Sequence, residues 1–424
     1  MAPLSSLLPR LCCLSLLLLP LLAAAPAALP RPEFAGLYRP DSPRLLLDTR
    51  REGDSLRLLL RRTDGLPVGA DGRPIRLTAW AGYDARTPLW QTSLPGLRRH
   101  AAAPGTGSAA WAEGCVAAAQ LPVGTVLQVE AAPPAQPDAF QNGETTAWRR
   151  LRPADLTRTF VLTDSVGVPL GRRYLQANEP FGVAEFGLEV PIRWQRYGAT
   201  ATAALPPMAG PGSRPVVPRT LPILDSATVE AGTQLRLPTP GLYALRADAE
   251  ARPLAVLVAA TPGFPTPRRP AELIENLLYL STSQERQRLS SAPDPKRAVD
   301  RFWLDAASGN QQRGKELIRR YYGRVQAANE LFTAHKPGWL TDQGLLYLVL
   351  GPPGGVRRLP TGEERWFYEE PAPGRSPVTF TFQPKPSTFA PDYYELVRRP
   401  EYETLWYAAV EQWRTGTTTA PNVR

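Results

Sequence analysis

A chain of 424 residues is too long for one ordinary domain, and its 43% hydrophobic content gives two or three domains enough apolar surface for a core each. The 48 prolines and 33 glycines favour strands, turns and loops over long helices. The formal charge of +10 does not form a nucleic-acid footprint. Lysine occurs at Lys296, Lys315, Lys336 and Lys385, and the other cations are arginines spread along the chain, as in a product of a GC-rich genome, with no basic stripe. A basic surface still leaves attraction to anionic glycans, lipid headgroups or acidic partners open.

Residues 1–27 read as a signal peptide. Arg10 precedes the apolar run Leu11 to Leu22, which is too short to span a bilayer, and Ala25-Pro26-Ala27 has the small-x-small form of a cleavage site before Ala28. Cys12 and Cys13 begin the apolar run, whereas a lipid-acceptor cysteine follows one. Cleavage leaves Cys115 alone, so no internal disulfide is expected, and its setting Glu113-Gly114-Cys115-Val116-Ala117 reads as burial of a small apolar side chain. The expected location is therefore periplasmic, outer-membrane associated or extracellular. No later run is long enough to cross a membrane, which leaves peripheral attachment open.

Residues 28–131 read as a first Ig-like β-sandwich. Ser55 to Arg61 precedes the turn signal Thr63-Asp64-Gly65, Ile75 to Trp80 alternates as a half-buried strand, and Val123 to Val129 closes the block. Residues 132–147 have linker composition. A second sandwich is expected over 148–260, with strands at Thr159 to Leu162, Val190 to Trp194, Thr233 to Leu237, Pro240 to Arg246 and Leu254 to Val258. Ala203 to Pro218, rich in Pro, Gly and Ala, reads as a surface loop. Residues 261–270 form a second linker.

From 271 to 415 the pattern changes to α+β. Leu273, Ile274, Leu277 and Leu278 have helical spacing, as do Val299, Phe302, Trp303 and Ala306. A longer stripe runs through Leu317, Tyr321, Tyr322, Val325, Ala328 and Phe332, expected to pack on the sheet that follows. The continuously apolar Leu345 to Leu350 reads as the central strand of that small antiparallel sheet. Arg365 to Tyr368, Val378 to Phe382 and Tyr393 to Val397 follow, then a closing helix with Tyr402, Leu405, Trp406, Ala409 and Trp413. Residues 416–424 are a tail.

Within this block stand Arg301-Phe302-Trp303, Tyr322, Arg324-Val325 and Ala328-Asn329. Next come Gly338-Trp339-Leu340-Thr341-Asp342, Gly344, Tyr347, Gly351-Pro352-Pro353 and the aromatic Trp366-Phe367-Tyr368. In this ordered set residues 270–415 resemble the secreted bacterial GWxTD-domain proteins. The resemblance implies an exported protein with a β-rich N-terminal half and names no activity. The family's usual basic residue after the motif aspartate is replaced here by Gln343.

The motif admits a structural reading. Gly338 would supply a turn with φ > 0, Trp339 would fill a core and use its indole N–H, Thr341 and Asp342 would bond nearby backbone N–H groups, and Gly344 would let the next strand start close to another element. The alternative joins Trp339 and Asp342 as an aromatic face and a carboxylate for a sugar. Trp303, Arg324, Asn329 and Trp366, which help carry the resemblance, and His335 are further binding candidates. His335 could pair with Asp342 as an oriented base, but a helix-end histidine reads more simply as a C-terminal cap. Gly351-Pro352-Pro353-Gly354-Gly355 lacks the N–H donors and the Gly-Lys-Ser/Thr of a phosphate loop and reads as a hairpin turn. Glu363-Glu364 and Glu369-Glu370 could contribute one carboxylate each across a glycosidic bond. Two distant histidines and Cys115 have no metal-ligand spacing, so neither metal nor cofactor is expected. The reading is an exported, non-enzymatic envelope protein that binds or scaffolds an envelope protein or glycan, with no nucleic-acid partner. The alternative is a carbohydrate-binding or glycan-active factor using Trp339, Asp342 and the sheet carboxylates.

Overall fold

The computed structural model describes residues 33–418, except 41, 70–71, 73, 103–108, 132–144, 187–190, 199, 211–219, 231, 248–252, 260 and 370–375. The signal-peptide segment, most of the expected first linker, Glu370 and the tail after 418 lie outside the described residues. The chain is mainly β, with its α+β part at the C-terminal end.

Eight strands build the first sandwich: β1 (Leu45–Glu52), β2 (Ser55–Arg62), β3 (Arg76–Trp80), β4 (Trp90–Ser93), β5 (Arg98–His100), β6 (Trp111–Ala117), β7 (Val126–Glu130) and β8 (Thr146–Arg150). They form two sheets, ordered β1-β2-β6-β5 and β4-β3-β7-β8. Alternate residues of each face inward: Leu56, Leu58 and Leu60 of β2 share one core with Leu77 and Ala79 of β3 and Leu127 and Val129 of β7. Trp148 was expected to open the second block. It sits instead in β8, which pairs antiparallel with β7 from Val126↔Arg150 to Glu130↔Thr146. The Pro-rich stretch thus connects paired neighbouring strands, because composition marks a loop but cannot say whether the next strand comes back. Cys115 is half-buried and unpaired.

A short helix, α1 (Pro153–Thr157), leads to β9 (Phe160–Asp164), β10 (Tyr174–Gln176), β11 (Phe181–Glu185), β12 (Ile192–Tyr197), β13 (Ile223–Val229), β14 (Gly241–Arg246) and β15 (Leu254–Ala259). The pair β11-β9 covers the sheet β10-β15-β14-β12-β13, with Phe160, Leu162 and Phe181 against Ile192, Tyr243, Leu245 and Val256. The β14–β15 hairpin is antiparallel, with Tyr243 opposite Val256 and Leu245 opposite Leu254. Thr233 to Leu237 is not a strand. Its Leu235 makes a single bridge to Phe181, since β12 and β15 already occupy both edges of β14.

The expected surface loop after β12 is instead anchored. Ala204 is buried, its N–H donates to Leu340 O (2.9 Å), and Arg399 N–H donates to Pro207 O (3.1 Å). The apolar and small residues that suggested a loose loop are the contact with the C-terminal domain. Its continuation at 211–219 is outside the described residues.

The C-terminal domain contains α2 (Pro270–Asn276), α3 (Ser283–Ser290), α4 (Pro295–Ala306), α5 (Gln311–Phe332), α6 (Asp342–Leu350), β16 (Gly355–Arg358), β17 (Glu364–Tyr368), β18 (Val378–Pro384), β19 (Tyr394–Leu396) and α7 (Glu403–Arg414). The run Leu345 to Leu350 is helix α6, not the central strand. A short apolar run carries no periodicity that separates a buried strand from a helix buried all round. The start signal decides: Thr341 caps, Asp342 stands in the first turn, and four leucines follow, which favour helix over β. The first strand of the sheet is therefore β16, and the order is β16-β17-β18-β19, each pair antiparallel. The α5 stripe packs on α4 and α6 and reaches the sheet at Phe332, whose ring lies 5.8 Å from Trp366. The Gly351–Gly355 segment joins α6 to β16, so it is not a hairpin turn; Gly351, at φ +94°, ends the helix.

Candidate functional site

The motif is a corner built on the backbone of α5. Gly338 opens a 3-10 turn, Gly338–Leu340, between α5 and α6. A Cβ on Gly338 would lie 1.9 Å from Ala328 O, and one on Gly344 would lie 1.9 Å from Gly338 O. Both glycines are required by close backbone approach. Gly338 is not among the residues with positive φ, so the turn expected there is not the reason for it.

Thr341 holds the next step. Its Oγ1 donates to Gly338 O (2.7 Å) and accepts from Gly344 N–H (3.0 Å), capping α6. Asn329 ties the corner to the preceding segment: its Nδ2 donates to Pro265 O (2.9 Å), and its Oδ1 accepts from Trp339 N–H (3.2 Å). Trp339 is half-buried against Tyr279, ring centroids 6.2 Å apart, and its indole N–H has no partner among the described residues. It therefore covers the core's edge and does not plug it.

Asp342 is 1% exposed. Its Oδ2 accepts from Leu396 N–H (2.7 Å) and Arg398 Nη1 (3.2 Å), and its Oδ1 accepts from Arg398 Nη2 (2.5 Å). This bidentate pair binds the start of α6 to the end of β19. Arg398 Nη2 also donates to Leu205 O (3.2 Å), so the second sandwich joins the same knot. The carboxylate offers no exposed oxygen to a sugar or a histidine.

His335 does not pair with Asp342. It is buried against the Tyr393 ring at 5.1 Å, and burial, with Lys336 beside it, pushes its pKa down to about 4. A neutral imidazole cannot act as the cationic helix cap expected from the sequence. Lys336 is also buried and donates through Nζ to Thr202 O (2.7 Å); burial lowers its pKa to about 8, against the pull of Asp342.

A second node lies under the sheet. Glu364 is fully buried; its Oε1 accepts from Tyr38 OH (2.5 Å), Trp366 Nε1 (2.6 Å) and Gln343 Nε2 (3.2 Å), and its Oε2 accepts from Arg358 Nε (2.8 Å). Gln343, where the family's usual basic residue would stand, therefore meets a carboxylate already paired with Arg358. Tyr347 OH donates to Tyr38 O (2.9 Å), which places the chain's early segment inside the C-terminal core. Phe34 N–H donates to Val356 O (3.1 Å) at β16, and Phe34, Ala35 and Tyr38 belong to that core.

The other candidates are also internal. Arg324 is buried, donates through Nη1 to Leu348 O (3.2 Å) and Val349 O (3.1 Å), and lies over the Trp413 ring at 5.0 Å. It caps the carbonyl end of α6, and a Cβ on Gly351 would lie 2.7 Å from its Nη2. Burial pushes the pKa of Arg324 down to about 10. Trp303 packs on Tyr321 (5.1 Å) and Trp413 (6.1 Å), and Trp366 sits between the Tyr38 and Phe382 rings. Glu369 is exposed just beyond β17, while Glu364 of that strand faces inward. Among the described residues no group of His, Cys, Asp and Glu could hold a metal, and no helix is long and apolar enough to cross a membrane.

Residues 241–415 match the sequence profile of the GWxTD domain. The chain carries a GWxTD domain. The matched range begins in β14, so it includes the last hairpin of the second sandwich together with the α+β block. No curated protein matches the chain. Among solved structures, the full ectodomain (Ig1–Ig3) of mouse nectin-like molecule 4 is similar at 15% identity and a TM-score of 0.14. The match covers 52% of this chain and 65% of that one, a score that carries no argument.

Sequence reading places the motif at a joint of the GWxTD domain but misses what completes it. Arg398, the partner of Asp342, stands 56 residues on, and the only local signal is a paired Arg398-Arg399 at the end of a strand. Tyr38 and Lys336 escape sequence reading for the same reason, since their partners Glu364 and Thr202 are distant in the chain, whereas Arg358 pairs with Glu364 only six residues on.

Proposed function

We propose that this protein is an exported bacterial envelope protein acting as a binding or scaffold module for a protein partner, without catalysis of its own. The observation that carries the reading is the state of the two acidic candidates. Asp342 and Glu364 are both buried, with every carboxylate oxygen accepting a hydrogen bond from the chain. A general acid or base needs a reacting proton within reach and access for substrate. The export part rests on the apolar segment within residues 1–27. Support for a protein partner comes from β13, an edge strand whose residues are almost all exposed, Ile223 at 53% and Leu224 at 55%. Such an edge is a template for pairing with an extended chain.

The test compares the wild-type chain with Ile223→Asp and Leu224→Asp, each immobilised and exposed to envelope extract. A protein retained by wild type and lost from both variants supports the reading. A parallel incubation with cell-wall glycan addresses catalysis. Release of reducing ends, abolished in an Asp342→Asn variant that melts as wild type does, would contradict it.

A further inference from the structure

The seam between the two sandwiches holds a cavity of about 50 Å³, lined by Leu47 and Asp48 of β1, Arg149 of β8, Arg158, Leu162 of β9, Gly171, Arg172, Arg173 and Leu254 of β15. Four arginines and one aspartate are among its lining residues, and the volume is several times the roughly 10–15 Å³ that one water needs. We propose that this cavity binds a small free oxyanion of the phosphate or sulfate type, with Arg173 as its principal donor.

Among the described residues the charge count around the cavity leaves a cation over. Arg158 Nη2 is held by Asp48 (2.7 Å), Arg149 by Asp155, Arg172 by Glu179, and Asp392 is shared between Arg152 and Arg173, the latter at 3.0 Å. Five arginines thus meet four carboxylates. Among the described residues the Arg173 side chain is held by its Nη2 ion pair, leaving Nε and Nη1 for a ligand. A buried unpaired donor costs about 1–3 kcal/mol, and an oxyanion supplies several acceptors at once.

The electrostatics at Arg173 point the same way, whereas carboxylates around Arg149 raise its pKa. Burial pushes the pKa of Arg173 below its ordinary value, and Arg152, Arg149 and Arg158 act in the same direction against Asp392. An anion in the cavity would relieve that repulsion. The guanidinium fork suits a tetrahedral oxyanion through paired donors, which an ammonium would not match.

Calorimetric titration of the full chain with inorganic phosphate, at ionic strength fixed with chloride, tests this. Saturable binding is expected, weakened at least about tenfold in Arg173→Gln, the loss of one charge-assisted bond. Should that variant not fold, Arg173→Lys replaces it, with a several-fold weakening expected. Neither phosphate nor sulfate giving heat with wild type overturns the proposal, as does equal binding by wild type and variant. Binding to vesicles bearing anionic phosphate headgroups without binding to inorganic phosphate also overturns it, because a headgroup held in its bilayer does not enter the seam.

Discussion

The corner around Asp342 and the seam around Arg173 both bury arginines and carboxylates, but they differ in closure. At the corner, one bidentate pair and one backbone N–H satisfy both carboxylate oxygens and two glycines let backbone touch backbone, while Arg398 Nε is buried without a partner among the described residues. At the seam, the described arginines outnumber the carboxylates that hold them, and space remains beside them. The difference teaches that the motif naming the domain marks how the fold is closed. The capacity for a ligand lies where no motif points, in a junction assembled from arginines far apart in sequence.

Substitutions can break or sharpen this contrast. The largest effect is expected from Gly338→Ala. The added Cβ meets a helix carbonyl that cannot move without distorting α5, so a loss of about 4 kcal/mol or more is expected in denaturant unfolding. An insoluble or molten product would agree with this, and a loss under about 1 kcal/mol would sink the close-approach account.

Next comes pH. His335 has a folded pKa of about 4, below its ordinary 6.5, so the unfolded chain binds a proton that the folded chain refuses. Stability contributed by this group is full above about pH 6.5 and is lost as pH falls toward 4, by on the order of 2–3 kcal/mol. His335→Gln should flatten that part of the pH–stability curve, measured against wild type in urea. Parallel curves would show that the imidazole is not buried neutral.

Thr341→Ala removes the α6 cap and should cost about 1 kcal/mol, with Thr341→Ser restoring most of it. The smallest effect belongs to the seam. Arg173→Gln should leave stability within about 0.5 kcal/mol in phosphate-free buffer, since one cation of a crowded set is removed. A large loss there would make the seam another closed joint, and the contrast would vanish.

Much of the architecture is legible in the sequence because it rests on local pattern. Alternation in Ser55 to Arg61 and the stripe from Leu317 to Phe332 each define one apolar face, and both elements form where that face demands. Leu345 to Leu350 is not legible as a helix because a segment buried on every side carries no face to read, and Thr341-Asp342 suits a turn before a strand as well as a helix start. The motif's role as a corner was legible, as was the need for Gly338 and Gly344, though Gly338 serves close contact and not a positive φ. The knot at Asp342 was not. Its partners Arg398, Leu396 and Leu205 come from segments that only the folded chain brings together, and an arginine in a chain this rich in arginine gives no signal of its own.

The most direct measurement is the stability of Asp342→Asn alongside its binding. Removing the charge leaves Arg398 buried without its counter-ion, so the account predicts a loss of about 3–5 kcal/mol in unfolding free energy. An Asp342→Asn protein that unfolds as wild type does, yet loses glycan or partner binding, would contradict it and make the motif a site.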